Sequence, residues 1–193
     1  MLLRMMEWLA RTLAIVGGLV LLALILLTCV SVIGRGGNTL GHSGLLTDIA
    51  PSLADMLKHL GPVKGDFEIV EAGIAFSIFA FLPICQLHGG HATVDVFTNL
   101  LPKRYNRVIV VFWEIVLAAV LVLISWRLYV GLLGKISNGE TTFLLQFPIW
   151  WAYAASFVAS VGAVIVGVYC ALARLAGLVT GGHYLPHSEG AMH

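Results

Sequence analysis

Residues 12–33, from Thr12 to Ile33, read TLAIVGGLVLLALILLTCVSVI, without a single Asp, Glu, Lys, Arg or His. As a helix these roughly 22 residues reach about 33 Å, which matches a hydrocarbon core of about 30 Å. Leu, Ile and Val each favour insertion by roughly 0.3–0.6 kcal/mol near the bilayer centre. The stretch therefore predicts a transmembrane helix. Arg4 and Arg11 precede it, so a signal peptide has to be weighed. The apolar run exceeds the core of such a peptide, about 7–15 residues, and no A-x-A cleavage pattern follows. It is read as a retained signal anchor.

Three further apolar stretches follow, at about 67–87, 108–133 and 148–175. Pro148 suits a first helical turn, where its missing N–H costs nothing. Trp150, Trp151 and Tyr153 beside it read as an interfacial aromatic belt. Small residues then recur every fourth position: Ala152, Ser156 and Ser160, and in parallel Ala155, Ala159 and Ala163. Such stripes let helix backbones approach closely in lipid.

Composition agrees. Of 193 residues, 59% are hydrophobic and 11% charged, where a soluble domain carries roughly 25% charge. The expected fold class is an all-α membrane protein, one domain over residues 1–193, with four transmembrane helices plus short amphipathic interfacial helices. A net charge of +1 without a compact basic patch argues against a nucleic-acid partner. Cys29, Cys85 and Cys170 lie far apart in apolar runs and read as small packing residues.

The connections are unequal. In the first, Gly34 to Gly65, residues Leu46, Ile49, Ala50, Leu53, Leu57 and Leu60 follow helical spacing. This predicts one amphipathic helix at about 46–60, capped by Asp48, carrying Pro51 in its first turn and stopped by Gly61-Pro62. It would lie on the membrane surface or against a partner. A second amphipathic segment, about 93–101, ends at Pro102. Lys103, Arg104 and Arg107 follow it as a lipid-facing basic cluster suited to phospholipid headgroups. The polar, Gly- and His-rich tail, about 178–193, is expected to be mobile.

Counting Lys and Arg orients the chain. Arg4, Arg11, Lys103, Arg104, Arg107 and Arg174 share one side; Arg35, Lys58, Lys64 and Lys135 share the other. The bias places both termini in the cytoplasm. Ionisable residues inside spans need partners. Glu68 and Glu71 begin the second span on one helical face, while Arg127 lies near the end of the third and Arg35 ends the first. A charge cluster joining Glu68 or Glu71 to Arg127 or Arg35 is expected in the outer leaflet. Glu114, on the opposite side, has Arg11 and Arg174 as candidate partners.

No carboxylate occupies the middle of a span, where carrier sites usually lie. His88, His91 and Asp95 suggest a metal, but Gly89-Gly90 interrupts any helix that would align them, and no fourth ligand is evident. No metal is expected. All seven histidines lie outside the spans or at their ends, which disfavours intramembrane haem. GxSxG, HExxH and P-loop motifs are missing, so catalytic residues, substrate-binding residues and an enzymatic role are not expected.

Gly65-Asp66-Phe67-Glu68, then an apolar span, then His88-Gly89-Gly90-His91-Ala92-Thr93-Val94-Asp95-Val96-Phe97 and Leu101-Pro102-Lys103-Arg104 form an ordered pattern. Asn138-Gly139-Glu140-Thr141-Thr142 and Phe147-Pro148-Ile149-Trp150-Trp151 extend it. Over about residues 5–175 the chain resembles the small membrane subunit (DctQ-type) of tripartite ATP-independent periplasmic, or TRAP, transporters. The resemblance implies a bacterial inner-membrane protein with four spans and cytoplasmic termini. It implies two protein partners: a large membrane subunit holding the substrate and sodium sites, and a periplasmic binding protein that captures a carboxylate or sulfonate. This chain would carry no cofactor and would scaffold the large subunit. Asp55 and Lys58, in the first connection, become candidates for contact with the binding protein. Competing readings are an autonomous four-helix carrier or channel and a membrane anchor subunit of a redox enzyme.

Overall fold

The structure is a computed structural model. It describes residues 1–89 and 103–180, for the backbone alone at 45–47, 103–107 and 179–180. The helices are α1 (Leu2–Gly41), α2 (Gly44–Ile49), α3 (Pro51–Lys58), α4 (Asp66–His88), α5 (Lys103–Asn138) and α6 (Trp150–Thr180). Four of them, α1, α4, α5 and α6, are long and apolar enough to cross a membrane. The chain is an all-α membrane protein. The expected amphipathic segment at 93–101 lies outside the described residues, as does the tail beyond Thr180.

Within α1 the hydroxyls of Thr12 and Thr28 donate to the carbonyls of Trp8 and Leu24, each at 2.8 Å. These bonds satisfy both polar side chains inside their own helix, so lipid can surround them. Ala10, Gly17, Leu24 and Ser31 recur every seven residues and are buried, the spacing of a narrow left-handed packing seam. They meet α4. A Cβ on Gly17 would stand 2.8 Å from that of Ala80, and one on Gly73 would stand 2.7 Å from Leu24. The two helices therefore run antiparallel at close range. Ser77 adds a hydrogen bond to the Gly17 carbonyl at 3.3 Å.

On α5 the buried positions are Val111, Glu114, Ala118, Leu121 and Ser125, alternating three and four apart, and then Leu132 seven residues on. This seam faces α6, where Ser156, Ala159, Ser160, Ala163, Val166 and Cys170 are buried. Ser160 donates to the Phe157 carbonyl at 2.8 Å. With that proton committed, Ser125 is the donor of the 3.1 Å bond between the two serines. Ala152 is half-buried and Ala155 exposed, so the second small-residue stripe begins only at Ala159.

The four long helices form a row rather than a closed bundle. Helix α6 packs on both α5 and α4, α4 packs on α1, α1 also reaches α6 through Ala10 and Leu13, and α4 and α5 flank α6 with little direct packing on each other. The end carrying Met1 is called basal below; the end carrying Gly41 is the hairpin end.

Helix α1 overruns the expected span at both ends. Beyond Ile33 it continues to Gly41 because α2 and α3 fold back along it. Asn38 Nδ2 donates to the Lys58 carbonyl at 2.8 Å. A Cβ on Gly41 would stand 2.8 Å from the Lys58 nitrogen and 2.9 Å from the Ala54 oxygen. The expected single helix at 46–60 is instead two, broken at Ala50. Proline disfavours helical backbone at the residue before it; Ala50 takes φ −144° and ψ 74°, and becomes the N-cap in place of Asp48. The result is two short helices, with α3 standing along α1. Of its apolar positions only Ala54 is fully buried, while Leu53 and Met56 are exposed, as is Leu60 just beyond its end.

Candidate functional site

Polar contacts concentrate at the two ends of the row, with an open cleft between α4 and α5. At the basal end Glu114 of α5 is 6% exposed. Arg174 of α6 brings Nε to 3.4 Å from Glu114 Oε2. Gln86 of α4, 1% exposed, donates from Nε2 to Glu114 Oε1 at 3.2 Å. One carboxylate thus ties together three helices. Arg174 was one of its two candidate partners in the sequence. Gln86 was not anticipated; its signal was an amide side chain inside an otherwise apolar run.

At the hairpin end the expected cluster of Glu68 or Glu71 with Arg127 or Arg35 does not form. Arg35 turns to Asp66, with 3.9 Å between its guanidinium and Oδ2, and lies 5.8 Å from the centre of the Phe67 ring. Asp66 also accepts from Ser31 Oγ and from the Phe67 amide at 2.9 Å. Glu68 accepts from the backbone amides of Leu144 and Leu145 at 2.6 and 2.9 Å. Two amides held in a turn serve a carboxylate as a cation would. Arg127 is exposed, and no partner is recorded for it among the described residues. Register explains this: Gly131 stands against Tyr153, and Tyr129 against Phe157 with ring centres 5.4 Å apart. Arg127 therefore sits about a turn or more deeper than Tyr153, which borders the cleft with Glu71.

The loop between α5 and α6 is built from the Asn138–Thr142 and Phe147–Trp151 motifs. Lys135 pairs with Glu140, and Asn138 Nδ2 donates to Glu140 Oε1 at 3.1 Å. These contacts, the Lys135 hydrogen bond first, hold the Glu140 carboxyl below the usual carboxylate range. Thr142 N donates to the Phe147 carbonyl and Ile149 N to the Glu140 carbonyl, both at 3.0 Å. The loop rests on Gly65, whose φ of 75° suits glycine; a Cβ there would run into Leu145.

Asp55 and Lys58 pair with each other at 2.9 Å on α3, which lowers the Asp55 pKa through the Lys58 hydrogen bond. Lys103, Arg104 and Arg107 fall in the first turns of α5. His88 closes α4, its Nδ1 lying 3.1 Å from the Ile84 carbonyl, whereas His91 and Asp95 lie outside the described residues. Among those described, no group of three or more His, Cys, Asp or Glu side chains could hold a metal ion.

The cleft has a volume of about 460 Å³. It lies between α4 and α5, is floored by α6 and is roofed by the α5–α6 loop. Glu68 and Glu71 stand at its rim, and Phe79, Leu128, Tyr153 and Ser156 line it further in.

The family model described as "Tripartite ATP-independent periplasmic transporters, DctQ component" matches residues 56–178. The match starts inside α3 and runs through α6, leaving α1 and α2 outside it. Searches of curated proteins and of solved structures give no match. With the match covering well over half its length, the chain belongs to the DctQ component family of the tripartite ATP-independent periplasmic transporters.

Proposed function

We propose that this small TRAP-transporter subunit serves a sodium-coupled, binding-protein-dependent secondary transporter of organic acids as its scaffold. It holds the large membrane subunit in the bilayer and helps to dock the periplasmic binding protein. Substrate and sodium sites belong to the large subunit, and this chain carries no cofactor and catalyses no reaction. Both termini lie in the cytoplasm and the spans cross the bacterial inner membrane. The Lys and Arg bias supports this orientation, and Lys103, Arg104 and Arg107 are suited to phospholipid headgroups.

The observation that carries the reading is where the polar groups stand. Glu114, Arg174 and Gln86 tie helices together near the basal end, and Asp66, Glu68 and Arg35 do so near the hairpin end. A moving transport domain requires a partner that stays put. An open row of helices, fastened at both ends, offers long apolar flanks on α1 and α5 for such a partner. In the proposed orientation the α2–α3 hairpin projects on the periplasmic side and is the docking candidate, with Asp55 and Lys58 on its surface.

Purification with and without a co-expressed large subunit tests the scaffold. A stable complex is expected; failure to associate would refute it. Uptake by the full complex carrying Asp55→Lys and Lys58→Glu tests docking separately. Slower uptake with normal assembly is expected, whereas unchanged uptake removes the hairpin from the docking role.

A further inference from the structure

We infer that the cleft between α4 and α5 receives a membrane helix of the large subunit, whose lysine or arginine side chain pairs with Glu71. This rests on the scaffold reading above and assigns it one interface. Three observations carry it.

The first is the shape of the row. Near the basal end Gln86 and Glu114 bridge α4 and α5 at 3.2 Å, and towards the hairpin end the two helices separate over α6. The cleft spans α4 from Glu68 to Phe79, about 16 Å along the helix axis. It is long enough for several turns of an added helix to lie against it.

The second is the lining. Ala72 and Ala75 of α4 face the cleft, as do Ala152 and Ser156 of α6, between the bulkier Phe79, Leu128, Phe147 and Tyr153. Small side chains on two adjoining helices leave room for a third backbone to come close, which is how helices associate where lipid removes the hydrophobic drive.

The third is charge. Glu68 is engaged with the Leu144 and Leu145 amides. Glu71 is exposed at the rim, and among the described residues none is recorded as its partner. A carboxylate inside a spanning helix needs a partner, and a cation is the strongest one. The lining contains no Lys, Arg or His. A phospholipid could offer an ammonium group, but its phosphate would then lie beside two carboxylates with no compensating base. A lysine or arginine from a protein brings the cation alone.

The test uses the full complex, with the chain and large subunit co-expressed. Glu71→Lys is expected to lower recovery of the large subunit by about tenfold and Glu71→Gln by about threefold. The isolated chain should melt at the same temperature in all three forms. A photo-crosslinking residue at Ala75 should capture the large subunit. Full recovery with Glu71→Lys, while the wild-type complex still forms, overturns the cleft assignment and leaves the scaffold reading intact. Crosslinks from position 75 to phospholipid alone overturn it as well. If the wild-type chains never associate, both readings fall together.

Discussion

Glu114 on α5 stands 3.4 Å from Arg174 on α6, and Gln86 on α4 donates to the same carboxylate. Because α4 and α5 otherwise share little packing, this contact closes the row at its basal end. Removing one member leaves the other buried and uncompensated, a loss of about 3 kcal/mol. Glu114→Gln, Arg174→Gln and the double variant, unfolded in detergent, should show a coupling of about 1 kcal/mol or more. Strictly additive losses would mean that the two side chains do not act as a pair.

Glu68 organises the α5–α6 loop through two amides. Glu68→Ala should speed hydrogen exchange at Leu144 and Leu145 by about tenfold or more, and leave the centre of α4 unchanged. Equal exchange rates in both proteins would show that the loop holds itself.

The same loop should respond to acid. The Glu140 carboxyl is held below its ordinary value of 4.5 by Lys135 and Asn138. A lowered folded-state value stabilises the loop fully above the ordinary range, and the contribution disappears as pH falls through the lowered value. Loop protection should therefore be flat near neutral pH and decline as pH falls below 4.5. Glu140→Gln should abolish that dependence; persistence of the acid transition would assign it to another group.

Two glycines of α1 should respond in opposite directions. A side chain at Gly17 meets Ala80, whereas one at Gly36 meets nothing within 4 Å. Gly17→Val should destabilise by about 1–3 kcal/mol through overpacking. Gly36→Ala should stabilise by about 0.5–1 kcal/mol, since helical glycine gives up more backbone freedom. Thermal unfolding in detergent measures both, and a loss at Gly36 would place an unseen neighbour there.

The spans were legible because apolar length alone decides them. The overrun of α1 was not, because its continuation past Ile33 depends on α3 lying along Gly41, a contact between distant parts of the chain. The break at Ala50 could have been read from Pro51; the apolar spacing across it masked the proline's restriction on its neighbour. Glu114 and Arg174 could be named as candidates because antiparallel spans set both at one level. The fate of Glu68 stayed hidden because its partners are backbone amides, which leave no trace in residue type. Arg35 went to Asp66 instead of the glutamates because Asp66 begins α4 directly opposite Ser31, a register that only the packed α1–α4 seam defines.

Reconstitution tests the scaffold claim most directly. Proteoliposomes holding this chain alone, the chain with the large subunit, or both with the binding protein would be challenged with a panel of carboxylates and sulfonates under a sodium gradient. Uptake is expected only when all three proteins are present, with none from this chain alone. Sodium-driven uptake by the chain on its own would contradict the scaffold role and make it a carrier.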